Sequence, residues 1–258
     1  MARLTRGGSW QDVEFNFTDP DAAGPRDIAL VKPDGTLAMQ AGSQCVFPNG
    51  AVLTPDGKTY IVAETFAGCL SAFDVAEDGS LSNKRVWADL KATFHRDYPG
   101  HPDHFMICPD GICLDAEGCV WVSVPAIDPT MTTEFIGGFG EHDRLPEHTP
   151  PCVLAGTHAA VCSRWLGSPG SPSHRWCCAA VRVKEGGEVL HAIGMTSEYE
   201  GTGFACMLDD DQNLIGVVAK GVGGHAPLGR DNGYVVKIPV GVGPAKSDAC
   251  ARYHGGYC

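Results

Sequence analysis

A chain of 258 residues with 33 glycines and 18 prolines has the length for one large β domain or two ordinary ones, with ample material for a core. Its net charge of −12 argues against nucleic acid or an anionic membrane as partner. No apolar run approaches the roughly 20 residues that span a bilayer, and no apolar segment follows the charged start Met1–Gly8, so no signal peptide is expected and a cytoplasmic, reducing setting is.

Residues 1–25 are polar and weakly patterned and are expected to be weakly structured. The β domain is expected over 26–243. It opens with Ile28-Ala29-Leu30-Val31, the turn Lys32-Pro33-Asp34-Gly35 and Thr36-Leu37-Ala38-Met39, which read as strand, turn, strand. A second segment covers about 46–90. Its apolar runs around Val52, Ile61 and Phe73, and the stretch from Ser80 to Leu90, are separated by Asp56-Gly57 and Asp78-Gly79 turns. Four strands in about 45 residues is the size of one propeller blade. The aspartates before glycine in these turns, with Asp34 and Glu117, read as plain turn formers.

A third segment opens at Asp110 and is broken by an aperiodic insertion, 126–178, rich in Pro, Gly, His and Cys. Its outer hairpin resumes at Ala179–Val183 and Glu188–Ile193. A loop of that length is uncommon inside a compact domain. The fourth segment takes Gly203–Leu208, Leu214–Ala219 and a closing strand Tyr234–Val240, and 244–258 is expected to be a flexible tail.

One pattern runs across these segments. Phe47-Pro48-Asn49-Gly50 is echoed sixty-one residues on by Cys108-Pro109-Asp110-Gly111, and each leads into an apolar strand, an Asp/Glu-Gly turn and another apolar strand. An oxygen-bearing side chain at the same point of each repeat predicts convergence on one site. Asn-Gly and Asp-Gly are also common turn pairs, so a purely conformational role stands beside that reading.

Thr54-Pro55-Asp56-Gly57-Lys58, Ala63-Glu64-Thr65-Phe66-Ala67-Gly68, Leu81–Leu90 and Pro109–Gly118, together with Phe47–Gly50, resemble the gluconolactonase, regucalcin (senescence marker protein) and luciferin-regenerating-enzyme family. The match is dense over 27–124, fainter over 179–243, and misses the insertion and both ends. The resemblance implies a six-bladed β-propeller with a divalent cation at the mouth of its channel. It makes Asn49 a metal ligand and Asp110 both metal ligand and catalytic base. The family's third ligand, a Glu in a Glu-Gly-Pro context, has no match here; Glu14 precedes Phe15-Asn16. The matched motifs put the chain's start near the end of the family's third blade, so about four blades are expected.

Asn and Asp oxygens are hard ligands suited to Ca²⁺, Mg²⁺ or Mn²⁺ and tolerable for Zn²⁺. The function implied is a metal-dependent hydrolase opening a sugar lactone or similar small ester with cation-activated water. The alternative is a non-catalytic partial propeller, a binding scaffold or remnant. Glu64 ends an inner strand and is a candidate substrate-binding residue facing the channel, or else a solvated strand end. His95, His101 and His104 are candidates for a substrate lid or for plain surface. Cys113, Cys119 and Cys206 sit within strand-like runs and read as small buried apolar residues.

Overall fold

The computed structural model describes residues 3–5, 24–32, 34–97, 106–127, 178–194, 202–219 and 233–246. These are nearly all strand, arranged in four antiparallel sheets with no closed barrel. The first sheet holds β1 (Arg3–Thr5), β2 (Arg26–Val31) and β3 (Leu37–Cys45). The second is a continuous meander of β4 (Pro48–Leu53), β5 (Thr59–Glu64), β6 (Cys69–Val75) and β7 (Leu81–Asp89). A short helix, α1 (Leu90–Asp97), follows. The third sheet comprises β8 (Met106–Ile107), β9 (Ile112–Leu114), β10 (Val120–Ile127), β11 (Cys178–Val183) and β12 (Val189–Gly194). The fourth is β13 (Thr202–Leu208), β14 (Asn213–Ala219) and β15 (Gly233–Pro239).

The sheets pack face to face in chain order, and their cores follow from period-2 alternation. Tyr60 and Val62 of β5 meet Ile28 and Cys45 of the first sheet, while Ile61 and Ala63 turn to the opposite face. On β10, Val120, Val122 and Val124 point back to the second sheet, and Trp121 points forward to Cys206, Leu214 and Ile238 of the fourth. A strand buried on both faces needs an unbroken apolar run, which Tyr60–Ala63 and Val120–Val122 provide.

The tight turns use the expected chemistry. Asp34, Asp56 and Asp78 each accept a backbone N–H two residues on, from Thr36, Lys58 and Ser80 at 2.9, 3.1 and 2.9 Å. The glycine that follows adopts φ between 72° and 85° in all three.

Three features add to that outline. Arg3–Thr5, in the segment expected to be weakly structured, pairs with Ala29–Val31. Gly243 and Ala245 are held against the third sheet: Ala116 N–H donates to Gly243 O and Ala245 N–H to Leu114 O, each at 2.9 Å. Helix α1 was not foreseen. Its start is capped by Asp89, whose Oδ1 accepts the Ala92 N–H at 2.8 Å. Of the insertion, residues 126, 127 and 178 are strand, and 128–177 lie outside the described residues. So do Glu14, His101 and His104, and nothing is described of the His95 side chain. Among the described residues no helix is long and apolar enough to cross a membrane.

Candidate functional site

Both halves of the sequence echo fall at irregularities of inner edge strands. In β4 the register slips between Pro48, which pairs with Glu64, and Ala51, which pairs with Val62. Asn49 and Gly50 occupy that slip, a place where a bulge re-aims side chains. In the third sheet β8 and β9 pair with opposite ends of the same edge of β10. Cys108 to Gly111 bridges the gap between them. It is pinned where Asp110 N–H donates to Ser123 O and Ser123 N–H donates to Gly111 O, both at 2.9 Å.

The two irregularities touch. Gly50 N–H donates to Asp110 O at 3.0 Å. A Cβ on Gly50 would lie 2.5 Å from Asp110 O, 2.5 Å from Ile112 N and 2.8 Å from Gly111 Cα. Only glycine permits this approach, so the glycine of the first motif seats the backbone of the second. Asn49 and Asp110, both half-buried, thereby sit on adjoining loops.

Thr65, which sequence reasoning left unassigned, ties the pair together. Its Oγ1 donates to Pro109 O at 2.8 Å and accepts from Asn49 Nδ2 at 3.4 Å, and its N–H donates to Phe47 O at 3.1 Å. Phe47 carries a left-handed φ of 50° and its ring packs 4.9 Å from that of Phe66. The signals available in the sequence were its place in the matched stretch Ala63–Gly68 and its position just after Glu64, the residue that pairs with Pro48.

Glu64, the candidate substrate-binding residue, is engaged inside the fold. It is 2% exposed, and its Oε2 accepts the Val46 N–H at 2.7 Å. Its Oε1 accepts the Ser71 hydroxyl and pairs with Lys84 Nζ at 2.7 Å. A buried carboxylate with this complement of partners is tied to β6, to β7 and to the Val46 backbone, with the partly exposed Lys84 supplying its counter-charge.

Burial explains the cysteines around these loops. Cys108 is pushed up to about 12, by burial first and by the Asp110 charge second. Cys45 is raised to about 12 and Cys69 to about 11, again by burial and then by Glu64. All three are neutral thiols near pH 8, where reactivity needs thiolate. Native labelling with iodoacetamide at pH 8, read by mass spectrometry, should spare Cys45, Cys69 and Cys108 until the protein is denatured. Prompt native labelling of any of them would contradict this assignment.

Asn and Asp supply amide and carboxylate oxygens, a donor chemistry that fits a hard divalent cation. Among the described residues no three His, Cys, Asp or Glu side chains gather as a ligand cluster.

Four face-to-face sheets whose inner edges bring two such loops together define a propeller-type β protein. The profile of the SMP-30/Gluconolactonase/LRE-like region matches residues 12–159, more than half the chain. The chain belongs to that family. Among solved structures it is similar to a gluconolactonase from Xanthomonas campestris, with 21% identity and a TM-score of 0.40 over 76% of this chain and 42% of that one. It is also similar to a calcium-binding protein, regucalcin, from Agrobacterium tumefaciens, with 13% identity and a TM-score of 0.45 over 85% and 53%. The chain thus spans about half the length of these structures, and likenesses this distant carry no argument about its chemistry.

Proposed function

We propose that the chain is a metal-dependent hydrolase of the gluconolactonase type, acting on a sugar lactone or similar small ester. The observation that carries this reading is the apposition of the two echo loops through the Gly50–Asp110 hydrogen bond at 3.0 Å. Asn49 and Asp110 hold the cation (Ca²⁺, Zn²⁺, Mn²⁺ or Mg²⁺) through oxygen. When bound, it supplies Lewis-acid polarisation of the lactone carbonyl and activation of water. Asp110 takes the proton of the attacking water as general base. The clamps on its backbone from Gly50 and Ser123 fix the position from which it does so.

The commitment of Glu64 to Lys84 favours a second reading, in which the same loops serve a non-catalytic scaffold for small ligands. The two readings separate on lactone hydrolysis by the full chain with each cation added in turn. On the first, turnover is metal-dependent, and Asp110→Asn lowers it by about 10²–10⁴-fold, the usual weight of a general base, while the circular dichroism spectrum stays unchanged. Unchanged turnover in Asp110→Asn overturns the base assignment. Neither turnover nor thermal stabilisation of the unsubstituted chain by any of the four cations leaves the scaffold.

A further inference from the structure

The hydroxyl of Thr65 has one proton, and the geometry says where it goes. Pro109 O, at 2.8 Å, is a backbone carbonyl and can only accept, so the Thr65 proton is donated to it. The second contact of the same oxygen, 3.4 Å from Asn49, must then be one in which Thr65 accepts. An amide has a donor edge and an acceptor edge. With the hydroxyl proton spent, only the NH₂ edge of Asn49 meets Thr65 favourably. The flipped amide would set two oxygens facing each other with no proton between them. Asn49 Oδ1 is therefore turned to the side away from Thr65.

At 3.4 Å the Asn49 contact is long, and its weight is orientational rather than energetic. The hydroxyl itself is firmly held. Thr65 is 7% exposed, its N–H is bonded to Phe47 O, and Pro109 is buried beside it. The same side chain therefore reaches both halves of the echo: it orients the Asn49 amide and anchors the peptide preceding Asp110.

We propose that Thr65 is a positioning residue for the Asn49–Asp110 pair. By giving its proton to Pro109 O it selects the Asn49 rotamer that offers Oδ1, the only edge of an amide able to coordinate a cation. This rests on the reading that Asn49 and Asp110 hold a divalent cation. It adds a rule specific to this chain: the ligand set depends on a hydroxyl at position 65, and serine can supply it while valine cannot.

The test uses the full chain with Ca²⁺ or Mn²⁺ alone as probe, read by calorimetry. Thr65→Ser keeps the hydroxyl and should bind within about twofold of the unsubstituted chain. Thr65→Val removes it and should weaken binding by roughly 10–100-fold, the usual effect of losing a group that orients a ligand. Thr65→Ala takes its place if the valine variant does not fold. Asn49→Asp supplies the decisive background, because both edges of a carboxylate are oxygens and no orientation remains to be selected. There Thr65→Val should cost clearly less than it does beside Asn49, only the Pro109 anchor being lost, a coupling that general loosening of the fold does not produce. Equal losses in both backgrounds overturn the proposal.

If the unsubstituted chain binds neither cation, the site reading fails and a cation-free measurement still decides Thr65. The Asn49 side-chain NH₂ protons, followed by ¹⁵N-resolved NMR, should shift and exchange faster in Thr65→Val but not in Thr65→Ser. Identical signals in all three proteins would refute the orienting role.

Discussion

Replacing Arg182 by methionine should lower the unfolding free energy by about 3–5 kcal/mol, the cost of stranding a buried charge. Arg182 lies on β11 and donates from Nε to Asp115 Oδ2 at 2.6 Å, with side chains 7% and 0% exposed. The other oxygen of Asp115 accepts the N–H groups of Glu117 and Cys119, each at 2.9 Å, which shapes the turn between β9 and β10. That turn also carries the chain's last described segment, through the Asp115–Pro244 bridge. Without Arg182 the carboxylate keeps its backbone donors but loses its counter-charge in a dry site. Arg182 Nη2 also meets Glu117 Oε2 at 2.7 Å, but Glu117 is 67% exposed. Glu117→Gln should therefore cost less than about 1 kcal/mol. Urea unfolding of both variants checks the contrast. Adding Asp115→Asn to Arg182→Met should recover part of the loss, because the stranded charge is then gone. A cost below about 1 kcal/mol for Arg182→Met would show that Asp115 is not dependent on its partner.

The strands and tight turns were legible in the sequence because each rests on local signals. Tyr60-Ile61-Val62-Ala63 announces a strand buried on both sides, and Asp56-Gly57 and Asp78-Gly79 announce their turns through a side-chain acceptor and a left-handed glycine. The Asn49 and Asp110 echo picked out two segments that the fold brings into contact. It did not disclose that Gly50 presses on the Asp110–Ile112 backbone, because that contact depends on β4 lying against β9. The environment of Glu64 was hidden for a related reason. Its partner Lys84 sits in a polar, largely exposed stretch of β7, two strands away, where nothing in the spacing marks a partner for a buried carboxylate. Thr65 lies in the matched stretch Ala63–Gly68, but nothing there marks its role, which arises from a carbonyl 44 residues along the chain. Helix α1 had a signal, Asp89 three residues before Ala92, obscured by the β-rich run that precedes it.

Gly50→Ala should disturb fold and site together. The added Cβ would meet Asp110 O and Ile112 N at 2.5 Å, and both are backbone atoms that no rotamer change can withdraw. Restoring ordinary contact of about 3.5 Å requires β4 and β9 to separate by on the order of 1 Å. That breaks the Gly50–Asp110 hydrogen bond, worth about 1 kcal/mol, and adds an overpacking cost of about 1–3 kcal/mol. A total near 3 kcal/mol is expected from urea unfolding. Gly57→Ala supplies the control. Gly57 has nothing within 4 Å of an added Cβ and a φ of +72°, so its substitution should cost about 1–2 kcal/mol from backbone strain alone. The two variants then differ in kind. Gly57→Ala should leave the affinity for Ca²⁺ or Mn²⁺ unchanged, because the β4–β5 turn lies away from the Asn49 and Asp110 loops. Gly50→Ala should reduce it at least as far as Thr65→Val does, because it parts the loops that carry the two proposed ligands. A Gly50→Ala chain as stable as the unsubstituted one would mean that β4 and β9 accommodate a methyl between them, and that the glycine of the first motif does not hold the second in place.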